Sequence, residues 1–175
     1  MERNIPCYLI VAGLFILLKF GFTLADNGDL AFLLLPVNGI VGFLTGSSAV
    51  FLPEDGFFHE KLGILIDKSC SGFNFWMLCF LVFSYPALRY TDRPLHKFLS
   101  IPVVLLFSYL LAVFVNTSRI FTSLLLQHYM GNIRPEQQDL FHQATGITIN
   151  LSFLLLSYFM MEKILINKQK NAKFT

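Results

Sequence analysis

Residues 67–89 read DKSCSGFNFWMLCFLVFSYPALR. A charged, hydroxyl-bearing turn ending in Cys70 passes directly into an apolar run that meets no charge before Arg89. Several other runs also approach the ~20 apolar residues that a helix needs to cross a hydrocarbon core. Across 175 residues the chain is 55% hydrophobic and 14% charged, with 20 Phe and a mean hydropathy of +0.62. A soluble domain of this size carries roughly 25% charged residues. The composition therefore predicts an all-α, polytopic integral membrane helix bundle of about five transmembrane helices, built as a single domain over residues 1–175.

The first run, Ile5 to Leu24, includes Lys19, whose stem can carry its ammonium towards an interface. Asp26-Asn27-Gly28-Asp29 ends it. The second, from Leu30 to about Leu44, is interrupted by Pro36, Asn38, Gly39 and Gly42. It reads as a short kinked span or as a re-entrant segment covered by protein. The third covers about Ser71 to Leu88. The fourth runs from near Phe98 to about His128, longer than a bilayer requires, and the fifth from about Leu140 to Ile166. Between the second and third lies a different kind of segment, residues 47–68. There Ala49–Leu52, the turn Pro53–Gly56 and Phe57–His59 read as strand, turn and returning strand. A small extracytoplasmic β-like element is expected here, leading through Gly63–Ile66 to Cys70.

A net charge of +2 gives no basis for nucleic-acid binding. Cys7 and Cys79 lie inside apolar runs, where a thiol behaves as a small hydrophobe. Three cysteines make a poor disulfide framework. The first run is long and no small-residue cleavage site follows it, so a removable signal peptide is not expected. Nothing implies a cofactor, and no His, Cys and carboxylate cluster has metal-ligand spacing.

Lys and Arg concentrate in the turn Arg89–Lys97 and in the tail at Lys163, Lys168, Lys170 and Lys173. Positive charge marks cytoplasmic loops. Spans three, four and five then run outward-to-inward, inward-to-outward and outward-to-inward. Cys70 opens span three on the outside. Arg119 lies ~21 residues into span four, about 32 Å along it at 1.5 Å per residue. His142 lies in the first turns of span five. Three helices thus deliver Cys70, Arg119 and His142 to one membrane face. If both of the first two runs span, Met1 is outside; if the second is re-entrant, Met1 is inside. The reading taken here is five spans with an outward N-terminus.

Those residue types suit acyl transfer. A thiolate is the nucleophilic form of cysteine, and a helix N-terminus or a neighbouring imidazole favours it. An imidazolium can protonate a leaving amine. A guanidinium stays protonated, so Arg119 is no base but can hold an oxyanion or a carboxylate. Gly72 is expected to admit a substrate backbone. Asn74, four residues after Cys70, is expected to share its helix face and orient a partner. Each residue also has an ordinary reading. A membrane-edge Cys is commonly structural, an Arg near a helix end snorkels, an interfacial His is solvated, and an Asn bonds a neighbouring helix. Arg119 resists its ordinary reading because Asn116 stands one turn earlier in apolar surroundings, where ionisable groups are usually paired and functional. His59, His128 and Arg134 are also expected outside, the last two as solvated residues, whereas His96 falls on the cytoplasmic side.

Cys70-Ser71-Gly72, Asn116-Thr117-Ser118-Arg119 and His142 followed by Gly146 stand in an order and at separations that resemble the exosortase/archaeosortase family. The resemblance covers about residues 30–160, and the short chain is most similar to the small exosortase K type. It implies a membrane cysteine transpeptidase that cleaves C-terminal sorting signals at the outer face of the cytoplasmic membrane through a cysteine acyl-enzyme. Cys70 is then the nucleophile, His142 the acid/base and Arg119 the stabiliser, with Ser71, Gly72, Asn74 and Asn116 in support. The implied partners are precursor proteins ending in a short motif, a transmembrane helix and a basic tail, a lipid or amine acceptor, and the bilayer itself. The alternative is a non-enzymatic bundle such as a substrate-binding transporter subunit. That alternative predicts indifference of Cys70 to conservative replacement.

Overall fold

The computed structural model describes residues 4–91, 93–130 and 135–174, and the side chains of residues 4–91, 93–126 and 143–170. The element order is α1 (Ile5–Leu24), α2 (Ala31–Thr45), β1 (Val50–Leu52), β2 (Gly56–His59), β3 (Ile64–Ile66), α3 (Phe73–Arg89), α4 (Pro94–Met130) and α5 (Pro135–Phe174). Among the described residues, four helical stretches are long and apolar enough to cross a membrane: Ile5–Leu24, Lys68–Arg89, Pro94–Leu126 and Gln143–Lys170. Helix α2 has 15 residues, about 22 Å at 1.5 Å per residue, which falls short of a hydrocarbon core of about 30 Å. Pro36 lies inside it without ending it. The second run is thus a short apolar helix.

Large side chains such as Leu9, Leu17, Phe20, Val103, Leu110, Leu155 and Phe159 are exposed on the spanning helices. Such apolar surface suits lipid rather than water. The chain is a helical membrane bundle, and its residues fall into two compact units, with α3, α4 and α5 contributing to both.

The first unit comprises residues up to Leu24, Asn74–Leu111 and Leu154 onward. Its core is α3, which buries Phe75, Trp76, Met77, Cys79, Phe80, Phe83, Ala87 and Leu88. Trp76 Nε1 donates to the carbonyl of Leu105 at 3.0 Å, and its ring meets Tyr109 edge-on at 5.6 Å. At the start of α1, Asn4 Nδ2 donates to Leu88 O at 3.3 Å, and its Oδ1 accepts from Lys97 Nζ. The beginning of α1 is therefore tied to the basic turn between α3 and α4. This corrects the expected outward N-terminus. With α2 too short to span, α1 starts at the same end as residues 88–97.

Lys19 does not snorkel freely; its Nζ donates to Asn74 Oδ1 at 2.7 Å. Asn74 is thereby occupied by α1. Nor does it share a helix face with Cys70, because α3 begins only at Phe73.

The second unit comprises Ala25–Phe73 and Ala112–Phe153. Its sheet is an antiparallel meander in the order β1-β2-β3, with Phe51 opposite Phe57 and Phe57 opposite Ile66. Alternation decides which residues are buried: Phe57, His59 and Ile66 are enclosed while Phe58 and Leu65 are exposed. The expected hairpin is present, and a third strand extends it to the doorstep of Cys70.

Candidate functional site

The Cys70 loop is held from three sides. Residues Lys68–Cys70 form one 3-10 turn, started by Asp67, whose Oδ1 accepts from Cys70 N at 3.1 Å and from Ser69 Oγ at 2.6 Å. Ser69 Oγ lies 3.8 Å from Cys70 Sγ. A short Asp side chain turned back on its own backbone is a common turn device. Upstream, Asn27 Oδ1 accepts from Lys68 N at 2.8 Å while its Nδ2 donates to Glu54 O, also at 2.8 Å. Lys68 Nζ donates to Ala25 O at 2.6 Å. Downstream, Ser71 Oγ accepts from Phe73 N at 3.4 Å, where α3 begins. Cys70 therefore precedes α3 by a separate turn instead of occupying its first turn, as the sequence had suggested.

The third hold comes from α4. Asn116, 3% exposed, donates from Nδ2 to Cys70 O at 2.5 Å. Gly72 permits this in two ways. Its φ of +74° belongs to the left-handed region that glycine enters freely. A Cβ at this position would also lie 3.1 Å from both Cβ and Cγ of Asn116. Its bare Cα is thus taken up by Asn116, a different use from the expected approach of a substrate backbone.

Neighbouring hydroxyls on α4 turn inward to their own helix: Thr117 Oγ1 donates to Val113 O at 2.8 Å and Ser118 Oγ to Phe114 O at 2.9 Å. Asn116 and Arg119 remain to act beyond it. Arg119 is half-buried, and its Nε has no hydrogen-bond partner among the described residues. Its stem lies on α5, where a Cβ on Gly146 would sit 3.1 Å from Arg119 Cδ. The glycine of each flanking motif therefore receives a side chain of the Asn116–Arg119 motif. Phe114 and Phe153 add an edge-on ring contact at 5.6 Å between α4 and α5.

Position 142 is in α5, one turn before Gly146; the side chains of His142 and His128, and Arg134 altogether, lie outside the described residues. His59 is fully buried. Its Nδ1 is 3.0 Å from Ser47 Oγ and its Nε2 is 2.8 Å from Asn38 Oδ1. Burial lowers its pKa from the ordinary histidine value. His59 joins β2 to α2. Cys7, Cys70 and Cys79 are all free thiols.

Beside Cys70 opens a cavity of about 190 Å³, lined by Ile64, Leu65 and Ile66 of β3, Cys70 itself, and Ile120, Ser123 and Leu124 of α4. Ser123 is 9% exposed, and its Oγ has no partner among the described residues. The sequence reading missed both Ser123 and Asn27. Asn27 sits in a string of turn-forming residues, and Ser123 in an apolar helix, so neither carries a local signal of its contact.

The interlocked motifs lie within the region over which the chain matches the family model described as transmembrane exosortase (Exosortase_EpsH), residues 27–159. The chain belongs to the transmembrane exosortase family. The match begins at Asn27, the residue that ties the Cys70 loop to the α1–α2 turn, and ends within α5. No curated protein matches the chain, and no solved structure does.

Proposed function

We propose that this exosortase is a membrane cysteine transpeptidase that cuts C-terminal sorting signals of membrane-tethered precursors through a thioester on Cys70. One observation carries the reading. The Cys70 loop, the Asn116–Arg119 turn and the Gly146 segment interlock directly, which gives three distant motifs a common physical purpose.

In this mechanism Cys70 Sγ bonds to the scissile carbonyl carbon, and the thiol proton passes to His142. Arg119, whose Nε has no partner among the described residues, stabilises the oxyanion that forms. The C–N bond then breaks as His142 returns the proton to the leaving amine, and a thioester remains. An acceptor amine, on a protein or a lipid, attacks that thioester and loses a proton to His142. The C–S bond breaks, the new amide departs, and the sulfur recovers its proton. Water as the acceptor gives hydrolysis instead.

Orientation rests on charge. Arg89, Arg93 and Lys97 stand at the α3–α4 turn, and Lys163, Lys168 and Lys170 in the C-terminal part of α5. On α4, the 22 positions from Lys97 to Arg119 rise about 33 Å, enough for a core of about 30 Å. With basic ends cytoplasmic, the site faces outside and recognises precursors whose basic tail stays inside. The test is co-expression with a precursor carrying a short motif, a membrane helix and a basic tail. Wild type shortens it and forms a hydroxylamine-sensitive adduct; Cys70→Ala does neither. Normal processing by Cys70→Ala would end the proposal.

A further inference from the structure

The cavity beside Cys70 has features the acyl-transfer chemistry does not use. Its walls are aliphatic, from Ile64, Leu65, Ile66, Ile120 and Leu124, and its volume is about 190 Å³. An apolar cavity of about 150 Å³ accommodates a benzene molecule, so this one has room for a single large side chain. Ser123 also lines it, with its Oγ turned into the protein. Ser123 departs from Thr117 and Ser118, which satisfy their hydroxyls on carbonyls four residues earlier in α4. Its own hydroxyl is buried and unpartnered among the described residues. Buried hydroxyls nearly always find a partner, and a rotation of this side chain about χ1 into the space lets a ligand there supply one.

We infer that the cavity is the subsite for an aliphatic side chain on the acyl half of the substrate, and that Ser123 bonds the backbone of that same residue. Cys70 forms part of the wall, so the occupant lies next to the carbonyl that the sulfur attacks and stays in place in the thioester. The strand order leaves β3 at the sheet edge on this side, where an extended peptide can lie along it. Ile120, Leu124 and the β3 residues then set the size of side chain accepted. Ser123 contributes affinity without choosing among side chains. The identity of the occupant rests on the proposed acyl transfer; the existence of the subsite does not.

The test reads the cavity without needing a natural substrate. Full-length Cys7→Ala protein in lipid nanodiscs is alkylated with N-alkyl iodoacetamides of increasing chain length, and the Cys70 peptide is followed by mass spectrometry. In each reaction a C–S bond forms, the C–I bond breaks and buffer takes the thiol proton. The apparent second-order rate should rise up to about fourfold for each methylene that becomes buried, reach a maximum near about six carbons, and fall beyond it. Ile120→Trp fills the space and should flatten the series. Ser123→Ala should lower rates by a similar factor for every chain length. Equal rates across the series in the wild-type pocket refute the subsite, and this arm stands even if Ile120→Trp fails to fold. A Ser123→Ala effect confined to one chain length refutes the backbone role. If the size series appears while Cys70→Ala still processes a precursor, the subsite stands and the transpeptidase reading falls.

Discussion

Replacing Gly72 by alanine separates two costs that the structure places on one residue. The first is backbone. An L-residue held at φ +74° is disfavoured by about 1–2 kcal/mol. The second is contact. The new methyl would sit 3.1 Å from Cβ and Cγ of Asn116, which adds about 1–3 kcal/mol for overpacking. Gly63 supplies the control, since its φ is +62° and nothing lies within 4 Å of its added Cβ. Gly63→Ala should therefore cost about 1–2 kcal/mol, and Gly72→Ala at least about 1 kcal/mol more. Reversible unfolding in mixed micelles, followed by helical circular dichroism, measures both. The extra cost should fall on the Asn116–Cys70 hydrogen bond, so Gly72→Ala should also change the rate of Cys70 alkylation while Gly63→Ala leaves it alone. Equal destabilisation by the two variants, with unchanged alkylation, would refute the close-approach argument.

Asn116→Asp should disturb the loop more than Asn116→Ala, because it turns an acceptor towards the Cys70 carbonyl instead of simply removing the donor. The structural cost is about 1–3 kcal/mol, read by unfolding and by precursor conversion. Asn27→Ala removes the acceptor of Lys68 N and the donor to Glu54 O, so it should cost about 1–3 kcal/mol and make the 67–72 segment a faster site of limited proteolysis. His59 titrates below the ordinary histidine range in the folded protein because it is buried. As pH falls below about 6.5, the unfolded chain binds the proton first. Stability is therefore full above that pH, declines beneath it, and levels off once the folded form is protonated. His59→Gln should remove that slope in unfolding measured from pH 8 to 4.5. Gly146→Leu should displace the Arg119 stem and lower turnover with little effect on Cys70 alkylation, whereas equal loss of both would place Arg119 in loop support.

Much of this architecture could be read from residue order. Charge depletion announced the membrane class, the Pro53–Gly56 turn announced the hairpin, and three short motifs announced the family. These signals are local, arising from composition, turn chemistry or spacing along one element. What escaped is contact between distant segments. Gly72 suggested room for a substrate because nothing near it in sequence shows that Asn116, 44 positions later, fills the space. Asn74 suggested a partner for Cys70 on helical spacing, but the helix starts too late, and Lys19 claims its carboxamide. The direction of α1 is set by Asn4, whose bonds to Leu88 and Lys97 join segments 84 and 93 positions apart. The burial of His59 had no local signal, because its two partners, Ser47 and Asn38, lie 12 and 21 positions earlier.

The bond from Asn116 to the carbonyl of Cys70 also sets an order of events during biosynthesis. The anchor is translated 46 residues after the thiol it steadies, and the glycine that beds Arg119 comes later still. While α3 is being inserted, the loop has Asn27, the carbonyl of Ala25 and its own turn to shape it. The Cys70 loop gains its final setting only after α4 has brought Asn116 and α5 has brought Gly146 to Arg119, so on the proposed chemistry a nascent chain that has not yet inserted α5 is inactive.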